Sequence, residues 1–286
     1  MKSTLNTIML PVRGDGKGDN VLAHAAVVAK RHGARVRVVH CRPKADDLMP
    51  YGVAIPAMLR KQIEEVAERN AGVTEDQMTE EFKTLAHDLG LKIGDFEPNT
   101  ATARFIEYEG KQVDAVRHFG RLADLICVPQ PEGTSLGSNT LKTALFSSGR
   151  PVMMCPHADP LPTSIGDHVV VAWNGSLEAT RAVGMSMALI RDAKTVTILS
   201  SQSIEHSATA DELRRYLELK SIDSRIHVFE AKRANVGREL LAQCGEIGGD
   251  LLVMGAYHDS YERETIFGGN SQAVVDHAKL PVVFVH

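Results

Sequence analysis

The sequence contains few cysteines and few aromatic residues, and both shortages exclude classes of protein. Its four cysteines stand far apart without a CxxC pair, which argues against a disulfide framework or a cysteine zinc site and favours buried free thiols. Aromatic residues make up 5% of the chain, and the 32 basic residues are scattered among 36 acidic ones. A nucleic-acid groove needs massed basic side chains interleaved with aromatic ones, so we expect no nucleic-acid partner.

Long apolar runs are also missing. No run approaches the roughly 18 apolar residues that a membrane-spanning helix needs. The first apolar run breaks at Pro11, before the core of a signal peptide could form. We therefore expect a cytoplasmic protein that does not bind a membrane.

Motifs for metal binding and catalysis are absent as well. The 12 histidines form no HxxxH or HxH pair, so the sequence predicts no metal site. There is no GxSxG nucleophile motif and no P-loop lysine, and we assign no catalytic residue. One alternative stays open, because His258 lies among Tyr257, Asp259 and Tyr261 and such a polar group could converge on a metal.

What the chain does contain is a long repeat. Four apolar runs in the first half, TIMLPVRGD, ARVRVVHC, ADLICVP and GRPVMMCP, are answered in order by DHVVVAWNGS, KTVTILS, GDLLVMG and KLPVVFVH in the second. Asp124 and Asp250 stand at matching places, as do Pro151 and Pro281, and the two separations are nearly equal. A period of this length indicates a duplicated domain.

Each repeated run is apolar without alternation, which is typical of parallel strands buried on both faces. Helical patterns over 22–33 and 178–193 follow the first strand of each half, and apolar stripes predict further helices over 57–71 and 75–89. The sequence therefore predicts an α/β protein with two tandem doubly wound, Rossmann-like domains of about five mostly parallel strands each. We place these domains at 1–156 and 168–286, joined by the proline-containing linker 157–167.

In a doubly wound sheet, ligands bind beyond the carboxyl ends of the strands where the winding reverses. In the second half those ends are AWNGS and MGAYH, so Ala172, Trp173, Asn174, Gly255 and His258 are candidate site residues. We expect Trp173 to be buried, although its position makes it a reporter of binding.

The order and spacing of these segments resemble the universal stress protein family in its tandem two-domain form. Nucleotide-binding members of that family carry a GxxG segment, then a loop and a glycine followed by Ser or Thr, with an Asp after the first strand. Gly255 and Gly268 stand at the corresponding spacing, whereas His258, Gly269 and Asn174 replace the second glycine, the hydroxyl residue and the acid.

An anion site is still compatible with this altered pattern. Gly268, Gly269, Asn270 and Ser271 lead into a helical pattern, and the exposed N–H groups at a helix start suit an anion. An alternative reading makes Asn270 or Ser271 an ordinary helix cap. In the first half, Pro129 and Glu132 occupy the glycine places, the loop to Ser138 is shorter, and Arg13 replaces the acid. We therefore expect no nucleotide there, and a first half that serves as a packing partner.

The resemblance implies a stress-linked binding or regulatory module with at most one nucleotide or anion site, in the second half, with ATP or another adenine nucleotide as its cofactor. Two alternatives remain: an ATP-binding protein with slow hydrolase or autophosphorylating activity, and a binder of a small apolar molecule or a metal. The resemblance also implies pairing through the last strands, so VMMC and VVFV predict self-association of the two halves. Whether two chains pair again as a homodimer stays open.

Overall fold

A computed structural model describes residues 5–12, 18–42, 58, 76–131, 136–201, 208–230, 236–256 and 269–286. The predicted helix over 57–71 lies outside the described residues except for residue 58, and Arg13, Glu132, His258 and Gly268 lie outside them as well.

Strands and helices alternate through most of the first half, as the apolar runs predict, and only β3 is followed directly by another strand. The elements are β1 Thr7–Val12, α1 Gly18–His32, β2 Arg35–Arg42, α2 over 76–88, β3 Lys92–Ile93, β4 Thr102–Glu109, α3 Gln112–Ala115 with a π-helical turn Val116–Gly120, β5 Leu125–Pro129, α4 Leu136–Ser148 and β6 Val152–Cys155.

The second half repeats this order with a shorter middle. Its elements are β7 His168–Trp173, α5 Leu177–Met185, α6 Met187–Arg191, β8 Thr195–Ser201, α7 Ala210–Glu218, β9 Arg225–Phe229, α8 Val236–Glu246, β10 Leu251–Gly255, α9 Gly269–His277 and β11 Val282–Val285. The predicted helical pattern over 178–193 is present as two helices. Ser186, with φ of −97° and ψ of 13°, leaves the helical range and separates α5 from α6.

The strands form one 11-stranded sheet in the order β3-β4-β2-β1-β5-β6-β11-β10-β7-β8-β9. In each half the chain winds outward from its first strand on both sides, which is the doubly wound arrangement. All neighbouring strands are parallel except β6 and β11. The predicted fold class is confirmed. The division into domains at 156 and 168 stays a prediction, with β6 ending before the proposed linker and β7 beginning after it.

The last strands of the two halves pair with each other inside one chain. β6 and β11 run antiparallel, with Met154 opposite Val282 and Val152 opposite Phe284. These four side chains are completely buried. Each strand thus covers the edge that the other would leave exposed, and the two sheets become one.

Two helical layers cover the sheet. Helices α1, α2, α5, α6 and α7 contribute to the apolar cluster on one face, and α4, α8, α9 and the π-helical turn contribute to the cluster on the other. The central strands bury side chains on both faces, which explains their unbroken apolar sequences.

All four cysteines are free thiols, as expected, and three of them are buried. Among the residues that the structure describes, no helix is long and apolar enough to cross a membrane. The same residues include no group of three His, Cys, Asp or Glu side chains placed to hold a metal.

Candidate functional site

A cavity of about 300 Å³ opens in the second half beyond the carboxyl ends of β7, β8, β9 and β10, beside the first turns of α5, α8 and α9. The described residues that line it are Ala172, Trp173, Asn174, Ser176, Glu178, Ala179, Leu199, Ser201, Phe229, Val236, Gly237, Leu240, Met254, Gly255, Ala256, Gly269, Asn270, Ser271 and Val274. This is the place that the winding of the sheet predicts for a ligand.

The end of β7 supplies one wall. Trp173 is 6% exposed, as expected, and its indole Nε1 donates to the carbonyl oxygen of Ala208 at 2.9 Å. The side-chain oxygen of Asn174 accepts from the main-chain N–H of Ser176 at 3.1 Å, and the Ser176 hydroxyl in turn caps α5 by accepting from Ala179. Asn174, which replaces the family's acid, therefore stabilises the turn between β7 and α5.

Gly255 ends β10 at a point where two main chains nearly touch. A Cβ atom there would lie 2.5 Å from the carbonyl carbon of Glu178 and 2.6 Å from the nitrogen of Ala179. Any side chain would push α5 away from the sheet, so packing alone requires a glycine at this position.

The start of α9 supplies the opposite wall. Gly269 and Asn270 are exposed and Ser271 is buried. A Cβ atom at Gly269 would meet none of the described residues within 4 Å, so among them a side chain fits there. Gly237 of α8 packs against this turn so closely that a Cβ would lie within 2.3 Å of the carbonyl oxygen of Asn270.

The cavity brings together most of the residues that the sequence suggested. Ala172, Trp173 and Asn174 from β7 and the following turn meet Gly255 from β10, and Gly269, Asn270 and Ser271 meet them from α9. His258 and Gly268, together with Tyr257, Asp259 and Tyr261, lie in the segment outside the described residues.

Sequence reasoning missed the apolar floor of the cavity and the close contact at Gly237. The missed floor residues are Leu199, Phe229, Leu240, Met254 and Val274. A signal was available for Leu199 and Met254, because both stand near the carboxyl ends of predicted strands. The signal for Phe229 was weak, since β9 mixes polar and apolar residues and had not been assigned as a strand.

Comparison with known proteins identifies this half of the chain. Residues 166–286 match the model of the Universal stress protein family. The resemblance that the sequence shows is confirmed for these residues.

Solved structures extend the likeness to the first half. A universal stress protein from Archaeoglobus fulgidus DSM 4304 superimposes with a TM-score of 0.71 at 17% identity, covering 99% of this chain and 96% of its own. A structure described as that of a universal stress protein from Pseudomonas aeruginosa UCBPP-PA14 gives a TM-score of 0.57 at 12% identity, covering 98% and 93%. At such identities the likeness shows a shared fold over both halves. A search of curated proteins gave no match.

Among the described residues, one ionisable side chain and several helix starts set the charge around the cavity of the second half. Glu178 is the one ionisable side chain among the described lining residues. The first turns of three helices face the cavity, through Glu178 of α5, Gly237 of α8 and Asn270 of α9. Because a helix start carries unpaired N–H groups and partial positive charge, these turns favour an anionic or polar group at the mouth, above an apolar floor.

The equivalent strand end in the first half is built differently. The main-chain N–H of Gln130 donates to the carbonyl oxygen of Cys155 at 2.9 Å. In the second half, the main-chain N–H of Ala256 donates to the carbonyl oxygen of Val285 at 2.8 Å in the same way, so Gln130 and Ala256 occupy equivalent positions. Pro129 therefore stands at the place of Gly255, as the repeat predicted. The side chain of Gln130 leaves its own half and contacts α9.

Proposed function

We propose that this chain is a stress-linked binding or regulatory module with one ligand site, formed by the cavity of the second half, and that the ligand is an adenine nucleotide such as ATP. The observation that carries the proposal is the convergence of Asn174, Gly255 and the first turn of α9 on one cavity. The same three segments correspond to the nucleotide-binding positions of the family that the sequence resembles.

The lining of the cavity combines apolar and polar parts, and a nucleotide has both. The floor formed by Leu199, Phe229 and Met254 is apolar and accepts a flat ring. The main-chain N–H groups at the start of α9 suit a phosphate, because they combine unpaired donors with the positive end of the helix. In this proposal the first half binds no nucleotide.

Binding is measured by titrating ATP, AMP and inorganic phosphate into the full chain while following Trp173 emission and the melting temperature. A ligand at a hundred times its Kd adds about 2.7 kcal/mol to the free energy of unfolding. We expect both signals to change with ATP, because Trp173 lines the cavity.

Gly269 offers a matched pair of variants. Gly269→Ser restores the hydroxyl that the family pattern has at this position, and no described residue lies within 4 Å of the added Cβ atom. Gly269→Ala adds the same Cβ atom without the hydroxyl. One additional hydrogen bond to phosphate predicts about threefold to tenfold tighter ATP binding for the serine variant and no change for the alanine variant. An absence of any ATP effect in the natural chain and in Gly269→Ser rules out the nucleotide.

A second candidate ligand is a small apolar molecule. It is favoured by the apolar floor and by Glu178, whose carboxylate is the one charge among the described lining residues and repels phosphate. Adenosine, which lacks a phosphate, and an apolar fluorescent dye are titrated beside the nucleotides to separate the two candidate ligands. Stabilisation by the dye and none by ATP, AMP or phosphate supports the apolar ligand.

A further inference from the structure

Gln130 connects the first half to the helix that borders the cavity of the second. Its side-chain Nε2 donates to the carbonyl oxygen of Val275 at 2.7 Å and to that of Ala278 at 3.2 Å. Val275 lies in the last turn of α9 and Ala278 just follows that helix. Both bonds span the two halves of the chain.

The bonds fall where a helix lacks partners of its own. The last carbonyl groups of an α-helix have no N–H group further along the helix to accept from, and a side-chain donor can replace the missing partner. Gln130 is suited to this role because its amide supplies two N–H donors. Its own main chain is fixed to β6 through Cys155, so the donor extends from a rigid sheet.

The other end of the same helix lies at the proposed ligand. Helix α9 has nine residues and its first turn lines the cavity. A helix of that length is about 13 Å long. Because a helix is a rigid element, a displacement of its last turn also displaces its first turn. Gly237 supports the first turn through Asn270, and Arg238 bonds His277 at the last turn, at 3.0 Å, from within the second half. Gln130 adds a fixed point from outside that half.

We propose that Gln130 is a positioning residue: it fixes α9 against the sheet of the first half and thereby holds the N–H groups of Asn270 and Ser271 at the cavity. The part of the inference that concerns ligand affinity rests on the proposed function. The repeat explains why the contact is one-sided. The equivalent residue in the second half is Ala256, whose methyl group has no donor to offer α4.

The test compares the full natural chain with Gln130→Ala, Gln130→Glu and Gln130→Lys. Alanine removes the donors, and glutamate replaces them with acceptors at the negative end of the helix. Lysine restores a donor with a charge that suits a helix carboxyl end. Arg31→Ala is the matched control, because Arg31 also bonds across the halves, to the main-chain carbonyl of Asp192, and it bonds Ile165 and Asp167 of the linker, all away from α9.

The first readout is amide hydrogen exchange along α9 without ligand. We expect exchange about twofold to tenfold faster in Gln130→Ala and Gln130→Glu, near-natural exchange in Gln130→Lys, and no α9-specific change in Arg31→Ala. Unchanged α9 exchange in Gln130→Ala overturns the proposal. A uniform increase in α8 and α9 alike, or an equal effect on α9 from Arg31→Ala, also overturns it, because either result indicates general destabilisation.

The second readout is ATP affinity by Trp173 emission, for which we expect the same order of variants. If the natural chain binds no ATP while α9 exchange still depends on Gln130, the nucleotide proposal fails and the positioning role stands. If ATP binds equally well to the natural chain and to Gln130→Ala, the link between Gln130 and the site is refuted and the nucleotide proposal survives.

Discussion

Asp124 and Asp250 perform the same structural task in the two halves of the chain. The Asp124 carboxylate accepts from the main-chain nitrogens of Asn6 and Thr7, both at 2.9 Å, where β1 begins. The Asp250 carboxylate accepts from Gly166, Asp167 and His168 at 2.9 to 3.0 Å, where β7 begins. The repeated acid therefore fixes the first strand of each half to the strand beside it.

These bonds predict unequal costs of removing the two carboxylates. Hydrogen bonds to a charged group are worth about 1.5 to 3 kcal/mol each at most, and the bonds of one carboxylate are not additive. We expect Asp250→Ala, which loses three partners, to lower the free energy of unfolding by about 2 to 4 kcal/mol, and Asp124→Ala to lower it less. Urea unfolding measures both. Asp88→Ala, at an exposed position, serves as the control, and equal costs for all three variants contradict the assignment.

Gly255 and Gly269 predict opposite outcomes for the same substitution. Gly255→Ala places a Cβ against the main chain of Glu178 and is expected to cost about 1 to 3 kcal/mol of unfolding free energy. Gly269→Ala adds a methyl group on a helix with no described residue within 4 Å, and is expected to leave stability unchanged or raise it by up to about 1 kcal/mol. Thermal melting of the two variants beside the natural chain gives the comparison. A neutral Gly255→Ala shows that α5 does not pack as described.

Two buried histidines predict a loss of stability in mild acid. Burial lowers the pKa of His24, and its hydrogen bond with the carbonyl oxygen of Asn20 opposes this shift only in part. Burial also lowers the pKa of His32, although the nearby carboxylate of Asp192 acts to raise it. Above pH 6.5 the side chains are neutral in both states and contribute nothing to pH dependence. Below it the unfolded chain binds protons first, so the free energy of unfolding falls as the pH drops through the range below about 6.5.

Melting temperatures between pH 7.5 and pH 5 measure this effect, and we expect a shallower decline in the double variant His24→Gln, His32→Gln. A decline over this pH range that is identical in the double variant contradicts the role of the two histidines.

Asp167 affects stability in a separate, more acidic pH range. Hydrogen bonds from Lys194, then Ser164 and Arg31, lower the pKa of its carboxyl well below 3.8, so its contribution is present above pH 3.8 and is lost as the pH falls below that value.

The burial of the thiols predicts one reactive cysteine. Cys41 is half-buried and the other three are buried. Burial raises the pKa of Cys244 to about 12, with a further contribution from Asp250, and raises the pKa of Cys155 well above 9. Because the thiolate is the reactive form, we expect a thiol reagent at pH 8 to modify Cys41 first, and the others only after urea is added. Rapid modification that persists in Cys41→Ser contradicts the packing around the other three.

How far the sequence predicts the fold differs between central and edge strands. The runs at β5 and β10 are apolar throughout because both faces of these strands are buried, and the repeat was readable from them. β9 was missed because it lies at the edge of the sheet, where Arg225 and Val228 are exposed and the apolar signal is diluted. The break at Ser186 was missed for a different reason, since the helical spacing of apolar residues continues across it.

The features of the candidate site also fall into those that the sequence predicts and those that only the tertiary structure decides. The repeat and the buried strands are visible as patterns of side chains along the sequence, and Asn174 stabilises its turn through a bond with Ser176, two residues away. The contact of Gln130 with Val275 joins residues 145 positions apart, and no local pattern specifies it. The same holds for the approach of Gly255 to Glu178 and of Gly237 to Asn270. Such contacts depend on how whole helices pack on the sheet, and that packing is set by the sum of many buried side chains.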